Sequence, residues 1–164
     1  WDEIDRVAKT WLIPAERMKG KKAHLVPLSD LAVTLLDQAA ALTTGNGSDY
    51  VFASPRVGED EDAHIDRRAF SRAMNRLGSA IEIAGATPHD LRRTAETAMA
   101  AAGVHKEYRD RVLNHVDSSV GGKNYNKHDF KVEKRAALEA LERYLDNARR
   151  VQKDNIPSIR RKLQ

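Results

Sequence analysis

β-prone runs gather in the first 28 residues of this 164-residue chain, and most of the remaining sequence repeats its apolar residues at helical spacing. Trp11-Leu12-Ile13 and Lys22-Ala23-His24-Leu25-Val26-Pro27-Leu28 are short extended runs. Between them Met18-Lys19-Gly20-Lys21 reads as a turn, with Gly20 able to take a positive φ. The two runs predict a small antiparallel sheet. After Ser29, a residue suited to an N-cap, Leu31, Leu35, Leu36, Ala39 and Leu42 share one face of a helix from Asp30 to about Leu42. Tyr50-Val51-Phe52 reads as a brief extended segment. A second helix is expected from Ile65 to about Ala80, with Ala69, Phe70, Ala73, Met74 and Leu77 inward. A last one runs from about Asp129 to Gln152, its apolar positions being Val132, Ala136, Leu138, Leu141, Leu145, Ala148 and Val151. The expected fold class is α+β, mostly helical, with a small antiparallel sheet near the N-terminus packed on a helical bundle. Residues 1–152 form one domain on this reading, and 153–164 a basic, flexible tail.

The sharpest local signal is Thr87-Pro88-His89-Asp90. Thr87 suits the N-cap, Pro88 the first helical position, and Asp90 the third, close to the positive end of the helix dipole. The helix it opens runs to about Ala102 and stops at Gly103, and a short helix comes next, from His105 to about Leu113. The loops are Thr43–Asp49, the acidic stretch Arg56–Ala63, and Val116–Asn124, where Gly121-Gly122 predicts mobility.

Composition excludes more than it selects. Without cysteine there is neither a disulfide nor a cysteine-based zinc site, which fits a reducing cytoplasm. No apolar run is long enough to span a bilayer, and Trp1-Asp2-Glu3-Ile4-Asp5 is not a signal peptide. The absent starting Met suggests an excised fragment. Charge is unevenly spread: residues 1–104 hold 13 Lys/Arg against 15 Asp/Glu, and residues 105–164 hold 15 against 9. The basic excess in the C-terminal part favours a polyanionic partner such as nucleic acid, through Coulomb attraction and counterion release.

His89 and Arg92 lie three residues apart, so both project from one face of a helix's first turn. Imidazole, guanidinium and free backbone N–H groups at that end suit a phosphate. From spacing alone the same residues also read as ordinary surface charges. The segment Pro88-His89-Asp90-Leu91-Arg92-Arg93-Thr94 resembles the His-x-Leu-Arg-x-Thr box of tyrosine recombinases of the phage-integrase type. Three further stretches carry the same resemblance in order. Met18-Lys19-Gly20-Lys21-Lys22-Ala23-His24-Leu25-Val26-Pro27-Leu28-Ser29 resembles the family's lysine-bearing β-hairpin. Val112-Leu113-Asn114-His115 resembles its Leu-Gly-His box. Tyr125 comes ten residues after His115, the family's spacing to its nucleophile.

The resemblance implies site-specific recombination of double-stranded DNA at an attachment site. Tyr125 would attack the scissile phosphorus, giving a 3′-phosphotyrosyl bond and a free 5′-hydroxyl, so that the strand can be rejoined without a cofactor or metal. His89 would assist deprotonation of the phenol, Arg92 would hold the non-bridging oxygens, and His115 would donate to the same phosphate. Lys19 would protonate the leaving 5′-oxygen, with Lys21 and Lys22 as rivals for that role. Tyr108 is a weaker alternative to Tyr125, because it precedes His115. Arg93 points about a hundred degrees away from Arg92 on the helix and is a neighbour rather than a ligand.

The sequence departs from the family in two ways. The family's first catalytic arginine sits on a helix that should end where Trp1 begins, so this chain is expected to be truncated on its N-terminal side. It should cleave DNA poorly or not at all, whereas the intact protein should be active, as a homotetramer on DNA. Asn114 stands where Gly is usual, a change expected to be tolerated. The helix from Asp129 resembles one that docks on a neighbouring protomer, but intramolecular packing and a monomeric fragment are expected here. A type IB topoisomerase-like enzyme, a non-catalytic DNA-binding module and a helical interaction domain are the competing readings.

Overall fold

The structure, a computed structural model, describes residues 1–43, 48–54, 64–81, 83, 85–115 and 129–155. Its described residues form a three-stranded antiparallel sheet and five α-helices, the α+β architecture that the sequence pattern implies. β1 (Ile4–Asp5), β2 (Thr10–Ile13) and β3 (His24–Pro27) lie side by side in that order. β2 and β3 pair from Thr10 with Pro27 to Ile13 with His24, and Ile4 of β1 pairs with Trp11. Two residues are too short a run for period-2 alternation to show, and β1 was not anticipated. A salt bridge from Arg17 and a hydrogen bond from the Trp11 indole (3.0 Å) both end on Glu3 and hold β1 in place.

The β2–β3 connection holds a 3-10 turn at Ala15–Arg17 and a tight turn in which the Lys21 N–H donates to the Met18 carbonyl (3.0 Å). Positive φ falls on Lys21 (52°) and not on Gly20, so the turn does not use the freedom Gly20 offers. The extended reading of Tyr50–Phe52 is corrected: it is a bend and turn, and only Ala53 makes an isolated bridge, to His64. β propensity is weak evidence without a partner strand.

The helices are α1 (Asp30–Thr43), α2 (Arg67–Ala80), α3 (Pro88–Ala101), α4 (Lys106–Val112) and α5 (Lys131–Asn155). Asp66 caps α2, its carboxylate accepting from the Arg68 N–H at 2.7 Å. The tightest core lies where α3, α4 and α5 meet. Met99 is fully buried there with Leu113 and Ala137, and Val104, Tyr108, Val112 and Leu141 pack around them.

α5 ties this helical core to the sheet. Lys134, buried at 6% exposure, donates to the carbonyl of Leu25 (2.7 Å) and so pairs a carbonyl of edge strand β3. Arg135 donates to the carbonyls of Ala8 (2.9 Å) and Lys9 (3.2 Å), and Glu142 accepts the Leu31 N–H in the first turn of α1 (3.0 Å). The inward face of α5 therefore carries Lys134, Ala137 and Leu141, while Val132 (75% exposed) and Val151 (59%) face outward. The apolar face expected from the sequence is displaced. On α2, Phe70 and Leu77 are likewise exposed instead of inward. Among the described residues no helix is long and apolar enough to cross a membrane.

Candidate functional site

α3 opens as the sequence predicts. Thr87 is the N-cap, Pro88 occupies the first turn, and Thr87 and Asp90 form a reciprocal capping box. The Asp90 carboxylate accepts from the Thr87 N–H (3.0 Å) and hydroxyl (2.7 Å). These bonds, the hydroxyl first, hold its pKa below the usual carboxylate range. The cap fixes the first turn, so His89 and Arg92 both sit on the exposed N-terminal half of α3.

The end of α4 supplies the second half of the site. Leu113 is its C-cap, and Asn114 comes next at φ 51°, in the left-handed region. The His115 N–H donates back to the Asp110 carbonyl (2.8 Å) and the Asn114 N–H to the Arg111 carbonyl (3.3 Å). This six-to-one and five-to-two pair is a Schellman motif. It gives the Leu-Asn-His sequence a physical reason: the middle residue must turn left-handed, which Gly does freely and Asn more easily than other residues. His115 is thereby placed one turn beyond Asp110, and its Nδ1 lies 3.2 Å from the Asp110 carboxylate. Asp110 also takes a salt bridge from Lys106 (2.5 Å). The Lys106 hydrogen bond, with a smaller contribution from His115, lowers the Asp110 pKa.

Arg92 joins the two halves. Its guanidinium reaches from α3 to donate to the Leu113 carbonyl, two residues before His115. Side-chain cations at a helix C-terminus also oppose the negative end of its dipole. From the sheet, His24 Nε2 lies 3.3 Å from the Val112 carbonyl. Arg111 lies over the Phe130 ring, 4.2 Å from its centroid, where the chain enters α5. Basic groups thus converge on the end of α4 from β3, α3 and α4 itself.

Of the predicted site residues, Arg92 and His115 are brought together through the Leu113–His115 turn, and His89 shares the exposed first turns of α3 with Arg92. Lys19 is exposed at the tip of the β2–β3 turn, with Lys21 and Lys22 beside it. Tyr125 and the Gly121-Gly122 segment lie outside the described residues, as does the tail beyond residue 155. Sequence reasoning did not single out His24 or Asp110. Asp110 had a signal, since it and His115 are the two ends of a helix-stop motif. A cavity of about 880 Å³ is lined by Trp1, Trp11, Leu35 and Phe52, among others, and holds none of these residues.

The phage integrase family model matches residues 1–132 of the chain. The chain belongs to the phage integrase family. Among curated relatives of this integrase-family chain, prophage integrase IntA of Escherichia coli (strain K12) is 32% identical over 139 residues, 85% of this chain and 32% of the relative. Prophage integrase IntZ of the same organism is 31% identical over 140 residues, with the same coverage. The chain thus spans about a third of the length of these integrases. No solved structure matches.

Proposed function

We propose that the intact protein breaks and rejoins DNA at a specific site, integrating or excising phage or mobile-element DNA through a 3′-phosphotyrosyl intermediate. The observation that carries this reading is the junction of α3 and α4, where Arg92 is tied to the turn that presents His115. That junction is exposed and basic, as a DNA backbone requires. Membership of the phage integrase family supports it.

In the proposed reaction the Tyr125 oxygen attacks phosphorus and the bond to the 5′-oxygen breaks. The phenol proton passes towards His89, and Lys19 supplies the proton taken up by the leaving 5′-oxygen. Arg92 and His115 hold the non-bridging oxygens while negative charge grows on them. With Nδ1 turned to Asp110, His115 offers Nε2 to the phosphate. Rejoining reverses each step. Four protomers would assemble on paired attachment sites to exchange strands.

The deciding experiment incubates the intact protein with a nicked suicide substrate that carries its attachment site. Wild type is expected to form a covalent adduct that survives denaturation, and Tyr125→Phe is not. An adduct in both variants would move the nucleophile elsewhere. DNA binding without any adduct would favour a non-catalytic binding module.

A further inference from the structure

An α-helix leaves its last carbonyls without partners inside the helix, and each must find a donor. At the end of α4 every carbonyl from Arg109 to Leu113 has one. The Leu113 N–H serves Arg109 (2.9 Å), the His115 N–H serves Asp110, and the Asn114 N–H serves Arg111. The two carbonyls that remain are met by side chains from other elements, Val112 by His24 of β3 and Leu113 by Arg92 of α3. A carbonyl only accepts, so Nε2 of His24 must carry the proton.

We propose that His24 is a positioning residue for Arg92 and His115: by closing the Val112 carbonyl it keeps the guanidinium of Arg92 free to hold a phosphate. The inference rests on the DNA-cleavage reading for the identity of the reaction, but not for the geometry. Without His24 the Val112 carbonyl becomes an orphan beside the one that Arg92 already serves. Arg92, already bonded to the Leu113 carbonyl, has five N–H groups in a rigid fork and is a donor able to answer both. Each N–H drawn onto backbone is lost to the phosphate, and the turn carrying His115 loses one of its two outside supports.

The charges facing His24 agree with a donor that stays neutral. Lys134 of α5 and Arg92 of α3 both act on it, while Arg111 and Asp129 act on Lys134. Burial first, then Lys134, lowers the His24 pKa.

The test compares His24→Leu, which removes the donor, with His24→Gln, whose amide places an N–H close to the lost Nε2. In this chain, nitrogen-15 NMR tracks the Arg92 Nε–H and the His115 ring while inorganic phosphate is added. In the intact protein, single-turnover cleavage and DNA affinity are measured. His24→Leu is expected to shift the Arg92 and His115 signals and weaken their response to phosphate. Cleavage should slow by tenfold to about a hundredfold, the cost of a misplaced group, with little change in DNA affinity. His24→Gln should recover most of both effects. Unchanged Arg92 and His115 signals in His24→Leu would overturn the proposal, as would a Gln variant no better than Leu. If His24→Leu does not fold, His24→Asn replaces it, since its amide is too short to reach Val112. The NMR readout needs no DNA. A wild type that shows the coupling but forms no adduct would therefore sink the cleavage reading and leave the positioning role standing.

Discussion

At Asn114 backbone conformation, more than side-chain chemistry, decides which residues the site tolerates. Its φ of 51° costs a residue with Cβ about 1–2 kcal/mol unless a short polar side chain eases it. Asn114→Ala should therefore lower stability by about 1 kcal/mol in urea unfolding, and Asn114→Gly should be neutral or slightly stabilising. Arg92 sets a different limit. Arg92→Lys keeps the charge but loses the planar fork, so the proposed cleavage by the intact protein should fall by roughly 10²–10³ with DNA affinity nearly unchanged. His24 makes stability depend on pH. Its folded pKa lies below that of a free imidazole, so below about pH 6.5 the unfolded chain binds the proton first. The stability it contributes is complete above that pH and is lost as pH falls through the depressed folded value. His24→Gln should flatten this part of the stability profile, read as urea midpoints between mildly acidic and neutral pH.

At the scale of elements, the start of α3 was legible because capping chemistry is local: Thr87, Pro88 and Asp90 carry the whole device within four residues. Thr87→Ala should cost about 1 kcal/mol in urea unfolding. It should also disturb His89 and Arg92, which depend on that first turn. The end of α4 near Leu113 was read from the sequence, but the turn beyond it was legible only as a resemblance, since its cause, a left-handed Asn114 closing on Arg111 and Asp110, is a matter of geometry. The β1 strand and the bend at Tyr50–Phe52 were not legible: β1 is only two residues long and is defined by its pairing with β2, and β propensity at Tyr50–Phe52 decides little without a partner strand. On α5 the helical period was read correctly, but its buried face was not. That face includes Lys134, which is inside because its ammonium finds the Leu25 carbonyl, a partner 109 residues away in sequence.

For the whole molecule, the core beneath the site is small, and Met99 is its most buried member. Met99→Ala should cost about 2–5 kcal/mol and loosen the α3–α4 junction with it. α5 meets β3 through Lys134, the β1–β2 connection through Arg135, and α1 through Glu142, while Ala137 and Leu141 join the core shared with α3 and α4. Such a helix cannot come away without releasing both the hairpin that bears Lys19 and the turn that bears His115. Amide hydrogens in the middle of α5 should then exchange only when the entire domain opens, and those of the α3–α4 junction should exchange at nearly the same free energy. The two ends of the proposed reaction, its leaving-group acid and its phosphate ligand, would therefore persist together or vanish together, as one cooperative unit.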